Sequence, residues 1–509
     1  MKTKSPACMT SAKLAGIAAF GSGLFAHAFG MLNIIHNTDN ISVQPTGYGT
    51  GIASGRWLLT ILGDLFEWAF GGYNLSWFNG VVFLLLLSLS AAFLVSALDI
   101  RRKGAAILTG MLFVTFPTIT ATLFYAYTTI YYGIAILLSV LGAYLYKKCK
   151  YPLIPSALCT AFALGIYQGY LPLTAGLLVL MLLRKTLSGK TPVKALFLKG
   201  VHYCASLALG LVAYFGILKL ALACYNVSLG TYQDIDQMGK LSLTELPALL
   251  LRTVRSFFAL PFEDYCNLAQ IPVLKLAYGA IIVISALMIL YILIFKLRNL
   301  NLALFTLLLC CAFPVAVNLI VIMCPTSRIY TLMVYAFVLL PVLPLVILET
   351  LEIPMAGKDL MPRVISGLLI AVIVSNIYLA NVNYTAIYYG NRQAENYING
   401  LIAQVRMTDG FDTKKQWAFI GNVDDPLLDN RWQDATVYAG SSLSHQLVKQ
   451  YSWKSWIYHY IGYTIPLANT DTVAQLSATE EVQAMPCWPN DGSIAIVDDI
   501  IVIKFENEE

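Results

Sequence analysis

Charge is what this chain has least of. Asp, Glu, Lys and Arg make up 12% of its 509 residues against a hydrophobic fraction of 58%, and the mean hydropathy is +0.69. A soluble globular surface needs roughly a quarter of its residues charged, so that class is excluded. Ten cysteines lack CxxC spacing, and many sit in apolar runs where Cys behaves as a small hydrophobe. They indicate no metal site. Cys224, Cys266, Cys324 and Cys487 lie outside those runs or at their ends, which leaves a disulfide open without selecting a pair. There is no internal repeat and no low-complexity tract. The Gly-rich stretch 47–55 fits neither GxGxxG nor Walker spacing, and the basic residues are too dispersed for a nucleic-acid surface.

What is present is a series of apolar runs. Eleven of them, at 14–35, 77–98, 105–120, 123–146, 152–166, 170–183, 195–223, 273–295, 302–323, 330–348 and 364–382, read as transmembrane helices of a polytopic α-helical membrane protein. The first contains Ala26-His27-Ala28, similar to a signal-peptide cleavage site, but the run continues well past it and is read as a retained helix. Residues 152–183 are the least regular part: about thirty residues supply either two short spans or one long tilted one, and two fit the charges better.

With the amino terminus inside, 18 of the 25 Lys and Arg residues before Tyr384 fall in inner stretches, among them Arg101, Arg102, Lys103, Lys147, Lys148, Arg184 and Lys185. The outer stretches hold only Arg56, Lys219, Lys240, Arg252, Arg255, Lys275 and Arg328. An odd number of spans puts the carboxyl terminus outside. From Tyr384 the composition changes to 8 Lys plus Arg against 16 Asp plus Glu. Residues 1–383 therefore read as the transmembrane domain and 384–509 as a small extracytoplasmic domain. Short β-type runs at 417–421 and 493–505 predict an α/β or mixed fold for it, without a catalytic motif.

The outer face then carries the chemistry. Its first loop, 36–72, opens on a Gly-, Pro-, Asn- and Thr-rich half that places Asp39 just past the first helix, beside His36. Its second half, 56–70, spaces Arg56, Thr60, Asp64 and Glu67 at steps of four, four and three, with Trp57, Leu58, Ile61, Leu62, Leu65, Phe66 and Trp68 on the remaining arc. That is an amphipathic helix lying in the membrane surface. A carboxylate at such a surface suits a general base acting on a hydroxyl, although a turn or helix-cap aspartate has the same pattern. Tyr167 and Gln168 interrupt two short apolar segments, where a polar pair can line a cavity and bind sugar hydroxyls or a sugar face. A second outer loop, 224–271, contains an apolar run with Arg252 and Arg255 three apart, then Glu263 and Asp264. Asp234-Ile235-Asp236 in the same loop is a DxD triplet and the only hint of a metal; no residue is assigned as a metal ligand and no cofactor is expected, while metal dependence stays open.

The first-loop acid, the surface helix, about eleven spans and the outer carboxyl-terminal domain together resemble the GT-C class of membrane glycosyltransferases. The closer resemblance is to the bacterial glucosyltransferases that decorate O-antigen during serotype conversion. It is carried by residues 37–42 with Asp39, YGTGIASGRW at 48–57, GIYQGYLPL at 165–173 and CPTSRIY at 324–330. The resemblance implies a multi-pass protein of the bacterial inner membrane that moves glucose from a polyprenyl phosphate donor to a lipid-linked or surface glycan. It implies Asp39 as the base, Arg328 and Arg56 as donor-phosphate ligands, and Tyr167, Gln168, Trp57, Glu263 and Asp264 as sugar or acceptor ligands. Many relatives carry a second acid beside the first, whereas here the neighbours are Thr38 and Asn40, so a paired carboxylate would have to come from Asp64, Glu263 or Asp264. A flippase or transporter of a lipid-linked saccharide, or a polysaccharide polymerase or ligase, is the competing class. Neither would need an acid in the first outer loop.

Overall fold

An uncharged apolar run in lipid must close its own backbone hydrogen bonds, and the helix is the form that does so within one segment. All eleven runs are helical over most of their length in a computed structural model, which describes residues 6–35, 37–43, 47–231, 235, 244–259, 262, 268, 271–327, 329–351, 360–421, 423 and 453–506. Among the described residues eight helices are long and apolar enough to cross a membrane, and a ninth crossing arises if Lys103–Thr115 and Pro117–Leu123, bent by 41°, count as one. The expected number was eleven. The difference lies in Leu153–Ile166 and Tyr335–Leu348, which are apolar but shorter; a helix of 14 residues spans roughly 21 Å against a hydrocarbon layer of about 30 Å.

By contact the chain forms two compact units, one of Met1–Leu32 with Thr46–Asn381 and the other of Asn33–Pro45 with Val382–Glu509. The loop read as one element of the transmembrane domain is thus divided: Asp39 belongs with the carboxyl-terminal residues, Arg56 and Trp57 with the helical bundle.

In the bundle, α1 (Pro6–Leu32) is followed, after the short α2 (Thr38–Ser42) of the other unit, by α3 (Trp57–Phe70), α4 (Ser76–Leu98), α5 (Lys103–Thr115), α6 (Pro117–Leu123), α7 (Thr129–Lys148), α8 (Leu153–Ile166), α9 (Leu171–Leu187) and α10 (Val193–Cys224). The second half comprises α11 (Leu246–Ala259), α12 (Pro272–Phe295), α13 (Leu300–Val317), α14 (Ile320–Met323), α15 (Leu339–Leu348) and the first part of α16 (Leu360–Met407), which from Val382 onward belongs to the other unit. Helix α1 packs on α4 and α5, α7 on α4 and α8, α10 on α8, and α9 on α13. The break between α5 and α6 follows from Pro117: Phe116, the residue before it, is driven to the extended region at φ −62, ψ 140.

Asp99 gathers one end of several of these helices. It caps α4 in the left-handed conformation, φ 54, and its carboxylate accepts from Arg101 Nη2 and Lys147 Nζ at 3.0 Å each and from Arg184 Nη2 at 3.1 Å. The Glu349 carboxylate after α15 accepts from the backbone N–H groups of Arg101 and Arg102 at 3.1 and 2.9 Å. Basic residues that the sequence assigns to one side of the membrane thus tie α4, α7, α9 and α15 together.

In the other unit, β1 (Trp417–Ile420), β2 (Ile494–Val497) and β3 (Ile500–Lys504) form a sheet of order β1-β3-β2. Strand β1 runs parallel to β3, with Trp417 opposite Ile501, and β2 runs antiparallel to it through a tight turn in which Asp498 and Asp499 both have positive φ. One face, with Trp417, Ile501 and Ile503, packs on Ile398, Leu401 and Val405 of α16 and on Ile41 of α2. The other packs on Leu476, Val482 and Met485. Cys224 and Cys487 form no disulfide among the described residues, and Cys266 lies outside them.

Burial alone would raise the Asp99 carboxyl, but Lys147, Arg184 and Arg101 outweigh it and hold it below the usual carboxylate range. A depressed acid contributes stability that is complete above its unfolded pKa and is lost as pH falls through the folded one. Asp99→Asn is expected to destabilise the detergent-solubilised protein by about 1–3 kcal/mol near pH 7. The gap in melting temperature from wild type should begin to narrow below about pH 4 and keep closing as the pH falls through the lower folded value; a gap that does not narrow over that range would assign the loss to something other than the ion pairs.

Candidate functional site

The stretch 47–56 ahead of α3 has no regular structure apart from a single 3-10 turn at Ile52–Ser54, so its backbone groups need partners from elsewhere. They come from three segments distant in sequence. The Gln168 side-chain amide donates to the Ser54 carbonyl at 2.9 Å and to the Tyr214 hydroxyl at 3.0 Å. Tyr214 in turn donates to the Gly55 carbonyl at 3.0 Å, and the Gly230 N–H donates to the Ala53 carbonyl at 2.8 Å. Gly55 sits at φ +72, and a Cβ there would meet the Tyr214 hydroxyl at 2.6 Å and the Gln168 amide at 2.7 Å. Only glycine fits that backbone conformation this close to the Tyr214 hydroxyl and the Gln168 amide.

This clamp positions Arg56, the residue that opens α3. Its guanidinium lies 5.2 Å from the centre of the Tyr167 ring, and its Nη1 donates to Thr50 Oγ1 at 3.1 Å. Tyr167 is stacked on Tyr132, with ring centres 4.6 Å apart at 21°, and Tyr170 meets Tyr132, Tyr167 and Tyr335 edge to face. Trp57 is buried against α8: its ring stands edge-on to Phe162 at 5.9 Å, and a Cβ on Gly165 would run into the indole. Farther along α3 the Tyr48 hydroxyl donates to Asp64 Oδ1 at 2.7 Å. Partial burial, then the Asp64 carboxylate, raise the Tyr48 phenol above its ordinary value, so it remains a donor. Gly63 lets the Tyr48 ring lie directly on the helix.

Four of the expected site residues, Arg56, Trp57, Tyr167 and Gln168, are therefore brought together. Gln168, expected to meet sugar hydroxyls, instead spends its amide donor on the loop, and Trp57 is part of the packed interior. On helix α3, Ile61, Leu65 and Trp68 of the apolar arc are exposed, whereas Trp57 of that arc and Thr60 of the polar row are buried. Asp39 lies in the other unit, in the first turn of α2, where Asn37 caps by accepting from the Asn40 N–H at 2.6 Å. A helix dipole favours an aspartate there, so local structure explains the residue type before any chemistry is invoked. Arg328, Glu263, Asp264, His36, Asp234 and Asp236 lie outside the described residues. The carbonyl of Pro325, three positions before Arg328 in the sequence, accepts from Arg252 Nη1 at 2.7 Å.

The sequence reading missed Tyr214, Tyr132 and Thr50. Tyr214 had a usable signal, a hydroxyl in the middle of a long apolar helix, which needs a buried partner.

A multi-span apolar bundle that buries a polar clamp around an arginine-bearing loop is the framework of an integral membrane protein. The profile of the glucosyl transferase GtrII family matches residues 28–341, more than half of the chain. The chain belongs to that family, which makes it a glucosyltransferase of O-antigen modification. Neither curated proteins nor solved structures gave a match. The matched stretch includes Asp39, the 48–57 loop and the 165–173 turn, and stops before the carboxyl-terminal unit.

Leaving the Ser54 carbonyl without its donor costs about 1–3 kcal/mol, which corresponds to roughly 5- to 150-fold in a rate or binding constant. Gln168→Leu is accordingly expected to lower kcat/KM for glucosyl transfer within that range, and Tyr214→Phe by somewhat less. Transfer assays on membranes with matched protein levels read this out. Full activity in Gln168→Leu would mean that the clamp does not hold the site.

Proposed function

We propose that this glucosyltransferase takes glucose from a polyprenyl phosphate donor and transfers it to a lipid-linked or surface glycan of the O-antigen type on the outer side of the bacterial inner membrane. The observation that carries this reading is the family match over 28–341, which spans the candidate acid and the clamped arginine loop. The charge distribution supports an amino terminus in the cytoplasm and a periplasmic carboxyl-terminal unit. On this reading Leu153–Ile166 and Tyr335–Leu348 also cross, as short spans, giving eleven in a GT-C-like arrangement.

Asp39 acts as the base. It takes the proton of an acceptor hydroxyl as that oxygen attacks the anomeric carbon; the carbon–oxygen bond to phosphate breaks, and its electron pair leaves on the polyprenyl phosphate. One displacement of this kind inverts the anomeric centre. The growing phosphate charge calls for a fixed cation. Arg56, held by the clamp and by Tyr167, supplies one, and Arg328 is the second candidate, with a guanidinium fork that matches phosphate oxygens. Tyr167, Gln168 and Trp57 serve chiefly to position that loop, while Glu263 and Asp264 remain candidates for contact with the sugar or acceptor. The donor brings its own leaving group, so no cofactor is required. A flippase for a lipid-linked saccharide is less favoured, because the family is one of glucosyl transfer.

Membranes given a labelled polyprenyl phosphate glucose should transfer the label to glycan, and Asp39→Asn should lower the rate by about 10²–10⁴-fold, the usual contribution of a general base. Undiminished transfer in Asp39→Asn would remove the base, and NMR showing retention at the anomeric carbon would remove the single displacement.

A further inference from the structure

Helices α12 and α13 are consecutive, joined through the short connection 296–299, yet they pack on different partners: α12 on α15, and α13 on α9 and α11. Between them lies an apolar cavity of about 400 Å³, within the size range of lipid and drug-sized ligand sites. Phe258 at the end of α11, Ser285, Ala286 and Leu290 of α12, and Leu307 and Cys310 of α13 line it. Leu290 and Leu307 are half-exposed, so the slot opens sideways. Ser285 is 3% exposed, and its hydroxyl has no hydrogen-bond partner among the described residues.

A gap of this size between two membrane helices takes up an apolar chain, and the charges at one end favour a chain with an anionic head. Helix α11 carries Arg252 and Arg255 and no acid. Arg255 stands one turn before Phe258 on the same face, is exposed, and has no ion-pair or hydrogen-bond partner among the described residues. Arg252 is tied to the Pro325 carbonyl. We infer that the slot between α12 and α13 seats the isoprenoid chain of the donor, with its phosphate beside Arg255. This rests on the polyprenyl phosphate reading above. The chain enters laterally from the bilayer, and Ser285 and Ala286, the small residues of the α12 wall, leave room for it.

The test uses the full-length protein in nanodiscs and two donors, a full-length polyprenyl phosphate glucose and a short-chain analogue. Wild type is expected to prefer the long donor in kcat/KM. Ala286→Trp, which fills the slot, should cut that preference by about tenfold or more, since each isoprene unit loses its buried contacts. Arg255→Gln should raise KM for both donors alike. Ser285→Leu, a smaller intrusion, covers the case in which the tryptophan variant fails to fold. A retained chain-length preference in folded Ala286→Trp or Ser285→Leu would overturn the seat while leaving the donor reading intact. Native mass spectrometry showing phospholipid that full-length polyprenyl phosphate does not displace would assign the slot to bulk lipid and overturn it too. If wild type transfers from neither donor, the donor reading itself fails and takes the seat with it.

Discussion

Irregular backbone inside an apolar bundle survives only where side chains supply its missing hydrogen bonds. The carbonyls of Ser54 and Gly55 are the case in point, and Gln168 and Tyr214 meet them. A net contribution of about 1 kcal/mol per bond understates their weight, because a carbonyl left unpaired at this depth loses its whole solvation. The sequences YGTGIASGRW and YQGY are thus two halves of one device. One brings the unsatisfied acceptors and Arg56; the other brings the donor and the ring over which Arg56 lies. With Tyr167 stacked on Tyr132 and Tyr132 built into α7, the guanidinium position is set by the bundle rather than by the flexibility of its own side chain.

The parts that were legible in the sequence are those with a local cause. Apolar runs become helices because nothing else satisfies their backbone, and the Ile61, Leu65 and Trp68 stripe faces outward because the helical period places it there. The interruption at Tyr167 and Gln168 was visible as two short segments, and its function in the fold was not, since Ser54 and Tyr214 lie 114 and 46 residues away from Gln168. The same distance problem hid the sheet. The strands at 417 and 501 were recognisable by composition, whereas their parallel pairing and the helices that cover both faces are long-range choices.

Span counting shows how local and global causes compete. Pro117 forces a bend that length and hydropathy cannot anticipate, and Leu153–Ile166 ends where the polar turn at Gln168 begins. Short helices are tolerated here because protein, not lipid, surrounds their ends: Tyr167, Gln168 and Tyr170 are all buried. The shortfall in length is therefore tied to the same turn that clamps the loop, and a longer, better-spanning α8 would displace the donor that Ser54 requires.

The sequence places Asp39 in a loop after the first helix, yet its surroundings are those of the carboxyl-terminal unit. Ile41, two residues on in the same short helix, is completely buried with Ile398, Leu401, Trp456 and Ile503. In a five-residue helix the direction of one side chain fixes that of its neighbours, so whatever seats Ile41 also orients Asp39. Those seating residues fall outside the stretch matched by the family, which ends at 341. If Asp39 is the base proposed above, a unit without a catalytic motif of its own governs the chemistry by holding that residue. Changes in the core near Trp456 or Ile398 are then expected to reach Asp39 through packing rather than through any charge they carry.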